Sequence, residues 1–203
     1  MRRAVLAVLS AAAITALAGC SMQGTPSPAT TTTTTTAAGG QTTTGSAGNG
    51  DAPAITGPEL DVSKLGGPCG LLKSDQLAAR GVTKPGTERT DPAGPACQWR
   101  PDDRADGTSF SISFLEKTKG LEGFYENRDK NPVFEPIEVG GYPAVNGDPT
   151  DAKSGTCSTA VGTAKDEGFL VQINVNDKKL PEYTNPCSVS SAIAETVVEN
   201  LKG

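Results

Sequence analysis

Five cysteines carry most of the covalent chemistry open to this chain, and their surroundings separate one from the other four. Cys20 closes the run Leu17-Ala18-Gly19-Cys20. Ahead of it stand Arg2 and Arg3, then an apolar stretch from Ala4 to Leu17, then the small residues Ala18 and Gly19. That order of positive charge, apolar stretch and small residues is the pattern of an export leader. A cysteine at its end makes the run a lipobox, in which the thiol accepts a diacylglyceryl group and the chain is cut just before it. The reading is therefore that residues 1–19 form a signal peptide and that Cys20 is lipidated. The apolar stretch falls short of the roughly 20 residues a membrane-spanning helix needs. A single acyl chain anchors only marginally, whereas two or three hold stably. The expected location is the outer, extracytoplasmic face of the cell membrane, with the membrane as a partner through the anchor on Cys20.

The remaining four cysteines, Cys69, Cys97, Cys157 and Cys187, form an even set, which in an exported domain points to two disulfides. Four cysteines allow three connectivities. Pairing neighbours along the chain, Cys69 with Cys97 and Cys157 with Cys187, closes two loops of about 30 residues and is favoured. Each bridge is worth roughly 3.5 kcal/mol in the loop-entropy picture. Zinc is the competing use, but no two of these cysteines stand at the close spacing that zinc ligands use. No metal and no cofactor is expected.

Other catalytic chemistry is scarce. The chain has no histidine, so Ser-His-Asp and Cys-His arrangements are excluded and the usual near-neutral general base is missing. An enzyme here would rely on carboxylates, lysine or tyrosine. Asp102-Asp103-Arg104-Ala105-Asp106-Gly107 has the outline of a calcium loop, but Arg104 occupies a ligand position and Ser113 stands where the bidentate glutamate belongs. Asp166 and Glu167 sit in a turn, where acidic residues are ordinary. Glycine-rich phosphate loops, nucleophile elbows and zincin motifs are absent from the sequence. Trp99, the sole tryptophan, is two residues from Cys97 and reads as core packed on a disulfide. Tyr142-Pro143 reads as a rigid turn. Of 18 basic residues, Arg2 and Arg3 leave with the leader, so 16 face 23 acidic residues, a net charge of −7. Such a chain repels nucleic acid, and no nucleic-acid partner is expected.

The elements that must position these residues begin after a long spacer. Residues 20–60 hold the lipidated cysteine and a Thr/Ser/Gly-rich segment, with the run Thr30 to Thr36 and then Thr42-Thr43-Thr44. The segment has almost no large apolar side chain to offset the entropy of ordering, so it reads as a disordered linker. About 40 flexible residues reach roughly 35 Å. Residues 61–203 read as one domain, of a common size. Ser74 reads as the N-cap of a short helix that stops at Gly81. Thr108 to Phe114 alternates Phe110, Ile112 and Phe114 with Ser109, Ser111 and Ser113, the pattern of a half-buried antiparallel strand. A helix is expected around Leu121, Phe124, Tyr125 and Arg128, weakened by Gly120 and Gly123. Short extended pieces, Phe134 to Val139 and Tyr142 to Val145, flank Gly140-Gly141. Two strands follow, Thr156 to Ala164 and Gly168 to Asn176. Asn185 as N-cap and Pro186 at the next position open a last helix, on which Val189, Ile193, Val197 and Leu201 recur every four residues. The expected fold class is α+β, an antiparallel sheet with helices on one face.

The lipobox and spacer, then Cys69-Gly70-Leu71-Leu72, Cys97-Gln98-Trp99, Gly141-Tyr142-Pro143-Ala144, Cys157 leading a strand and Cys187 opening the last helix, together span essentially the whole mature chain. In that order they resemble a family of actinobacterial envelope lipoproteins defined as a domain of unknown function, DUF3558. The resemblance implies an exported, membrane-anchored lipoprotein with four domain cysteines and brings no catalytic residues. It also implies a sheet-and-helix fold similar to Mog1/PsbP-like lipoproteins. The expected role is a non-catalytic binding or accessory module that engages an envelope protein, glycan or lipid, and not an enzyme. A carboxylate-dependent cell-wall hydrolase and a structural wall spacer are the alternatives.

Overall fold

In the computed structural model, which describes residues 52–105, 107–151 and 153–203, the alternating runs become seven strands. They are β1 (Thr87–Asp91), β2 (Gly94–Trp99), β3 (Thr108–Phe114), β4 (Val133–Val139), β5 (Tyr142–Asp148), β6 (Thr156–Ala164) and β7 (Glu167–Val175). All pair antiparallel in one sheet of order β1-β2-β3-β7-β6-β5-β4. Two meanders thus meet in the middle, β1–β3 from the first half of the domain and β4–β7 from the second. The helices are α1 (Ser74–Ala78), α2 (Glu122–Glu126) and α3 (Pro186–Lys202). This is the α+β architecture that the sequence predicts.

The period of two along each strand divides the side chains between two faces. On one face Phe110, Ile112 and Phe114 of β3 stand beside Phe169, Val171, Ile173 and Val175 of β7, all buried. The stripe Ile193, Val197 and Leu201 of α3, widened by Ala194 and Val198, packs on this face over β6 and β7. Leu71, Leu72, Val82 and Trp99 complete the same cluster from the first half. Asn200 clamps the end of α3 to the first half: its Nδ2 donates to the Leu71 carbonyl at 2.8 Å and to Gln76 Oε1 at 2.8 Å.

The helices do not all share that face. Leu121 and Tyr125, at the start and middle of α2, belong to a second buried cluster with Val145, Ala160 and Leu170. These strand residues have the opposite parity to the α3-facing set, so α2 covers part of the other face, a correction to the single-faced arrangement expected. The helix expected around Leu121 to Arg128 runs for five residues and is followed by a 3₁₀ turn at Arg128–Lys130. Gly120, at φ 58°, stands just ahead of the start of α2.

Other boundaries move for local reasons. Lys73, not Ser74, is the N-cap of α1, and its N–H donates to Gln76 Oε1 at 2.8 Å. Gly81 ends the turn in a left-handed conformation (φ 70°), which lets the Val82 N–H reach back to the Leu77 carbonyl at 3.1 Å. Asn185 is the N-cap of α3, but its side chain makes no capping bond; its carbonyl instead accepts Ser188 Oγ at 2.8 Å. Gly140 and Gly141 both have positive φ (56° and 86°), the requirement of the tight hairpin turn joining β4 to β5.

The domain also begins before residue 61. Residues 52–60, placed in the linker from composition, lie against it: Ile55 and Leu60 join the main cluster. Polar bonds fix this segment. Ala52 N–H donates to Glu122 Oε2 at 2.9 Å, Tyr142 Oη donates to the Pro58 carbonyl at 2.6 Å, and Leu60 N–H donates to the Thr163 carbonyl at 3.0 Å. Two scattered apolar residues suffice because backbone groups supply the rest, a contribution that composition does not reveal.

The four domain cysteines form two bonds, Cys69–Cys97 and Cys157–Cys187, across separations of 28 and 30 residues. Each lies within one half of the sheet: the first ties the Pro68–Gly70 turn to β2, the second ties β6 to the first turn of α3. Trp99, 1% exposed, stacks on Phe110 with ring centroids 5.3 Å apart. A Cβ on Gly86 would lie 2.3 Å from Cys97 Sγ and 2.7 Å from Trp99 Nε1, so bridge and indole close together over a residue that must lack a side chain.

Two expectations follow. Gly86→Ala should destabilise the domain by roughly 1–3 kcal/mol, since neither the bridge nor the indole has room to move; urea unfolding followed by Trp99 fluorescence measures it. Full reduction of both bonds should lower stability by several kcal/mol in total. A melting temperature unchanged in strong reductant would contradict that.

Candidate binding surface

The second face of the sheet is built in two halves. Ranks run across the strands because residues paired in register point the same way. Toward one end, Leu170 and Ala160 are paired neighbours, Val145 follows Ala160, and Leu115 and α2 close over them. Phe134 meets Tyr125 edge-on at 5.1 Å, and the Arg128 guanidinium lies 5.4 Å from the Phe134 ring centre. The Tyr125 hydroxyl is buried there without a hydrogen-bond partner, and desolvation pushes its pKa up.

Toward the other end no helix among the described residues covers the sheet, and the side chains change character. Gln98, Ser111, Gln172 and Ser158 are successive partners across β2, β3, β7 and β6. Ser109, Asn174 and Thr156 form the next rank. At the ordinary interstrand spacing a rank of four groups spans roughly 15 Å. These side chains line a shallow hollow of about 360 Å³. Gln172 and Asn174 are exposed; Gln98, Ser109, Ser158 and Thr156 are partly so.

The charges among the described residues stand around the rim of this strip: Arg100 Nη2 donates to Gln98 Oε1 at 3.0 Å, and the charges at the two ends are engaged with their own neighbours. Arg89 Nε and Nη2 each reach Asp91 Oδ1 at 2.6 Å, and Asp91 Oδ2 accepts Ser113 Oγ at 2.8 Å. At the far end Asp148, 1% exposed, accepts Thr150 N–H at 2.6 Å and Thr156 Oγ1 at 2.8 Å. The middle is therefore an uncharged array of amides and hydroxyls, able both to donate and to accept. Strand pairing fixes its backbone, so little ordering is needed to present it.

A second hollow, of about 440 Å³, opens between residues 52–55, the start of α2 and the β6–β7 turn. Glu59, Glu122 and Asp166 line it together with Lys119 and Lys165, so acids and bases alternate around it. Lys119 pairs with Glu126 at 2.8 Å, and Glu122 already accepts the Ala52 N–H.

The residues singled out in the sequence fall as follows. Cys20 lies outside the described residues. Asp102 holds the end of the α1 region: its carboxylate accepts Thr83 Oγ1 at 2.8 Å and Thr83 N–H at 3.2 Å. Asp103 caps its own loop through Ala105 N–H at 2.9 Å. Among the described residues, no group of three or more His, Cys, Asp or Glu side chains is placed to hold a metal ion. Asp166 makes the β6–β7 turn at φ 60°, while Glu167 opens β7, so the two are not a facing pair. Tyr142 is 3% exposed; its ring has Lys202 Nζ 5.5 Å from the centre, and Pro143 follows it in β5. The polar strip was not singled out beforehand. Its serines on β3 were visible as the outward half of an alternation, but Gln98, Gln172, Asn174 and Ser158 join them only through register, which a single strand's pattern does not contain.

Among the described residues no helix is long and apolar enough to cross a membrane. No curated protein and no solved structure matches the chain, so likeness to Mog1/PsbP-like lipoproteins rests on the resemblance alone. The family model described as "Protein of unknown function (DUF3558)" matches residues 15–200, nearly the full length, and the chain belongs to that family.

Proposed function

We propose that this protein is a lipid-anchored, extracytoplasmic and non-catalytic binding module whose uncovered sheet half engages a hydroxyl- and amide-bearing polymer of the cell envelope. The observation that carries the reading is the contrast between the two ends of one face. Where the strands present Leu170, Ala160 and Val145, a helix covers them; where they present Gln98, Gln172, Ser158, Ser109, Asn174 and Thr156, with Ser111 buried among them, no described element does. A regular row of neutral donors and acceptors complements a ligand that repeats the same groups. Glycan strands carrying N-acetyl groups have that chemistry, whereas a nucleic acid would meet net negative charge. The leader pattern and Cys20 support tethering at the membrane, and the segment ahead of residue 52 supports a reach into the wall.

A carboxylate-dependent hydrolase is the second reading, and the hollow lined by Glu59, Glu122 and Asp166 favours it as the place where such chemistry would sit. With Glu122 tied to the Ala52 N–H, Glu59 and Asp166 are the pair to test.

Sedimentation of the full chain with purified cell-wall glycan is the direct experiment. Wild-type protein should co-sediment saturably, and the double variant Gln172→Ala/Asn174→Ala should bind at least tenfold more weakly with unchanged folding. Equal binding by that variant, or none by the wild type, would reject the sheet half as the binding face. In the same samples, release of soluble sugar that disappears in Glu59→Gln/Asp166→Asn would establish the hydrolase instead.

A further inference from the structure

Arg80 sits in a setting that its own structure leaves unbalanced. It follows α1, and its guanidinium is half-buried against α3. Its Nε is shut off from solvent and has no hydrogen-bond partner, while Nη2 reaches Thr196 Oγ1 at 3.3 Å. Neither ion pair among the described residues involves it. Burial pushes its pKa down, though an arginine stays charged near neutrality. A half-buried cation without a counter-ion is partly desolvated, and an anion in reach of its outer nitrogens would offset that cost.

The guanidinium borders a groove of about 500 Å³ between α3, the start of β3 and the 3₁₀ turn Pro181–Thr184. Its floor is apolar: Phe110 and Ile193 lie beneath it, with Val189 and Leu180 along its walls. The volume lies within the range of ordinary small-molecule sites. Glu182 stands exposed on the same rim and forms no ion pair with Arg80. With Arg80 and Glu182 on one rim, a singly charged head is repelled less by Glu182 than a doubly charged phosphate.

We propose that this groove binds a single-chain amphiphile with a monocarboxylate head, a fatty acid in chemical class, with the carboxylate on the Arg80 guanidinium and the hydrocarbon over Phe110, Val189 and Ile193. The site is on the α3 side of the sheet, apart from the polar strip, and stands whether or not the strip binds glycan. Trp99 stacks on Phe110, which lines the groove, so its fluorescence is the readout of occupancy.

The probe is decanoate, titrated into the full chain and followed by Trp99 fluorescence and calorimetry. Saturable one-to-one binding is expected, with decanol and acetate each at least tenfold weaker. Arg80→Gln should reduce decanoate affinity at least tenfold while leaving decanol unchanged, and Glu182→Gln should strengthen decanoate binding several-fold. Ala192→Trp, at an exposed position of α3 on the groove, should abolish binding without disturbing the core. Absence of saturable decanoate binding would overturn the proposal, as would undiminished binding by Arg80→Gln or by Ala192→Trp. So would Arg80-dependent binding to phosphatidylglycerol vesicles by a chain that ignores decanoate, since that outcome assigns the cation to a phosphate head.

Discussion

The pairing of β3 with β7 is the constraint on which the domain depends. It is the one ladder between the two meanders, running from Thr108 opposite Val175 to Phe114 opposite Phe169. Neither disulfide links the two meanders: one joins β2 to the Pro68–Gly70 turn, the other joins β6 to α3. Register in this ladder therefore sets both faces at once. It aligns Phe110, Ile112 and Phe114 with Ile173, Val171 and Phe169 beneath α3, and by the same act aligns Ser111 with Gln172 and Ser109 with Asn174 on the reverse side. A slip of one residue would turn apolar side chains outward and polar ones into the core, so it is strongly opposed. The strip thus inherits its precision from the hydrophobic core behind it.

Polar bonds then lock elements that apolar packing alone would leave free to slide. Beneath the first turns of α3, Thr159 Oγ1 and Ser190 Oγ lie 2.7 Å apart, and Asn146 Oδ1 accepts Thr159 Oγ1 at 2.7 Å and Ser191 Oγ at 3.0 Å. Ser190 and Thr159 are fully buried. A buried hydroxyl network of this kind is favourable only in one arrangement, which fixes α3 along its axis where the apolar stripe repeats. With Asn200 gripping Leu71 at the far end, α3 is positioned at both ends, and the groove beside Arg80 keeps its shape.

How much of this was legible depended on whether a feature is local. The alternations of Thr108–Phe114 and Gly168–Asn176 and the four-residue recurrence from Val189 to Leu201 are written in consecutive residues; the first and last formed as read, and the second formed one residue earlier, as Glu167–Val175. Trp99 in the core followed from its nearness to Cys97 in sequence. The face chosen by α2 was not legible, since a five-residue helix with one buried face fits either side of a sheet. Residues 52–60 looked like spacer because their hold on the domain is made largely through backbone groups. Both candidate sites were invisible for the same reason: the strip needs four strands in register, and the groove needs Arg80 brought across to Val189 and Ile193.

The attachment of residues 52–60 bears on how the domain behaves under mechanical load. A pull on the chain ahead of Ala52 acts first on the Ala52–Glu122 bond, then on the Pro58–Tyr142 bond, then on the Leu60–Thr163 bond. These contacts are spaced along the segment and would peel in succession, each bearing the tension alone. The seven residue pairs between β3 and β7 resist together, and one strand of each meander is bonded to an element packed beside it, β2 to the Pro68–Gly70 turn and β6 to α3. The segment is therefore a fuse: tension applied at Ala52 would strip it from the surface in small steps and spend itself in added slack, while the sheet that carries the candidate surfaces stays intact.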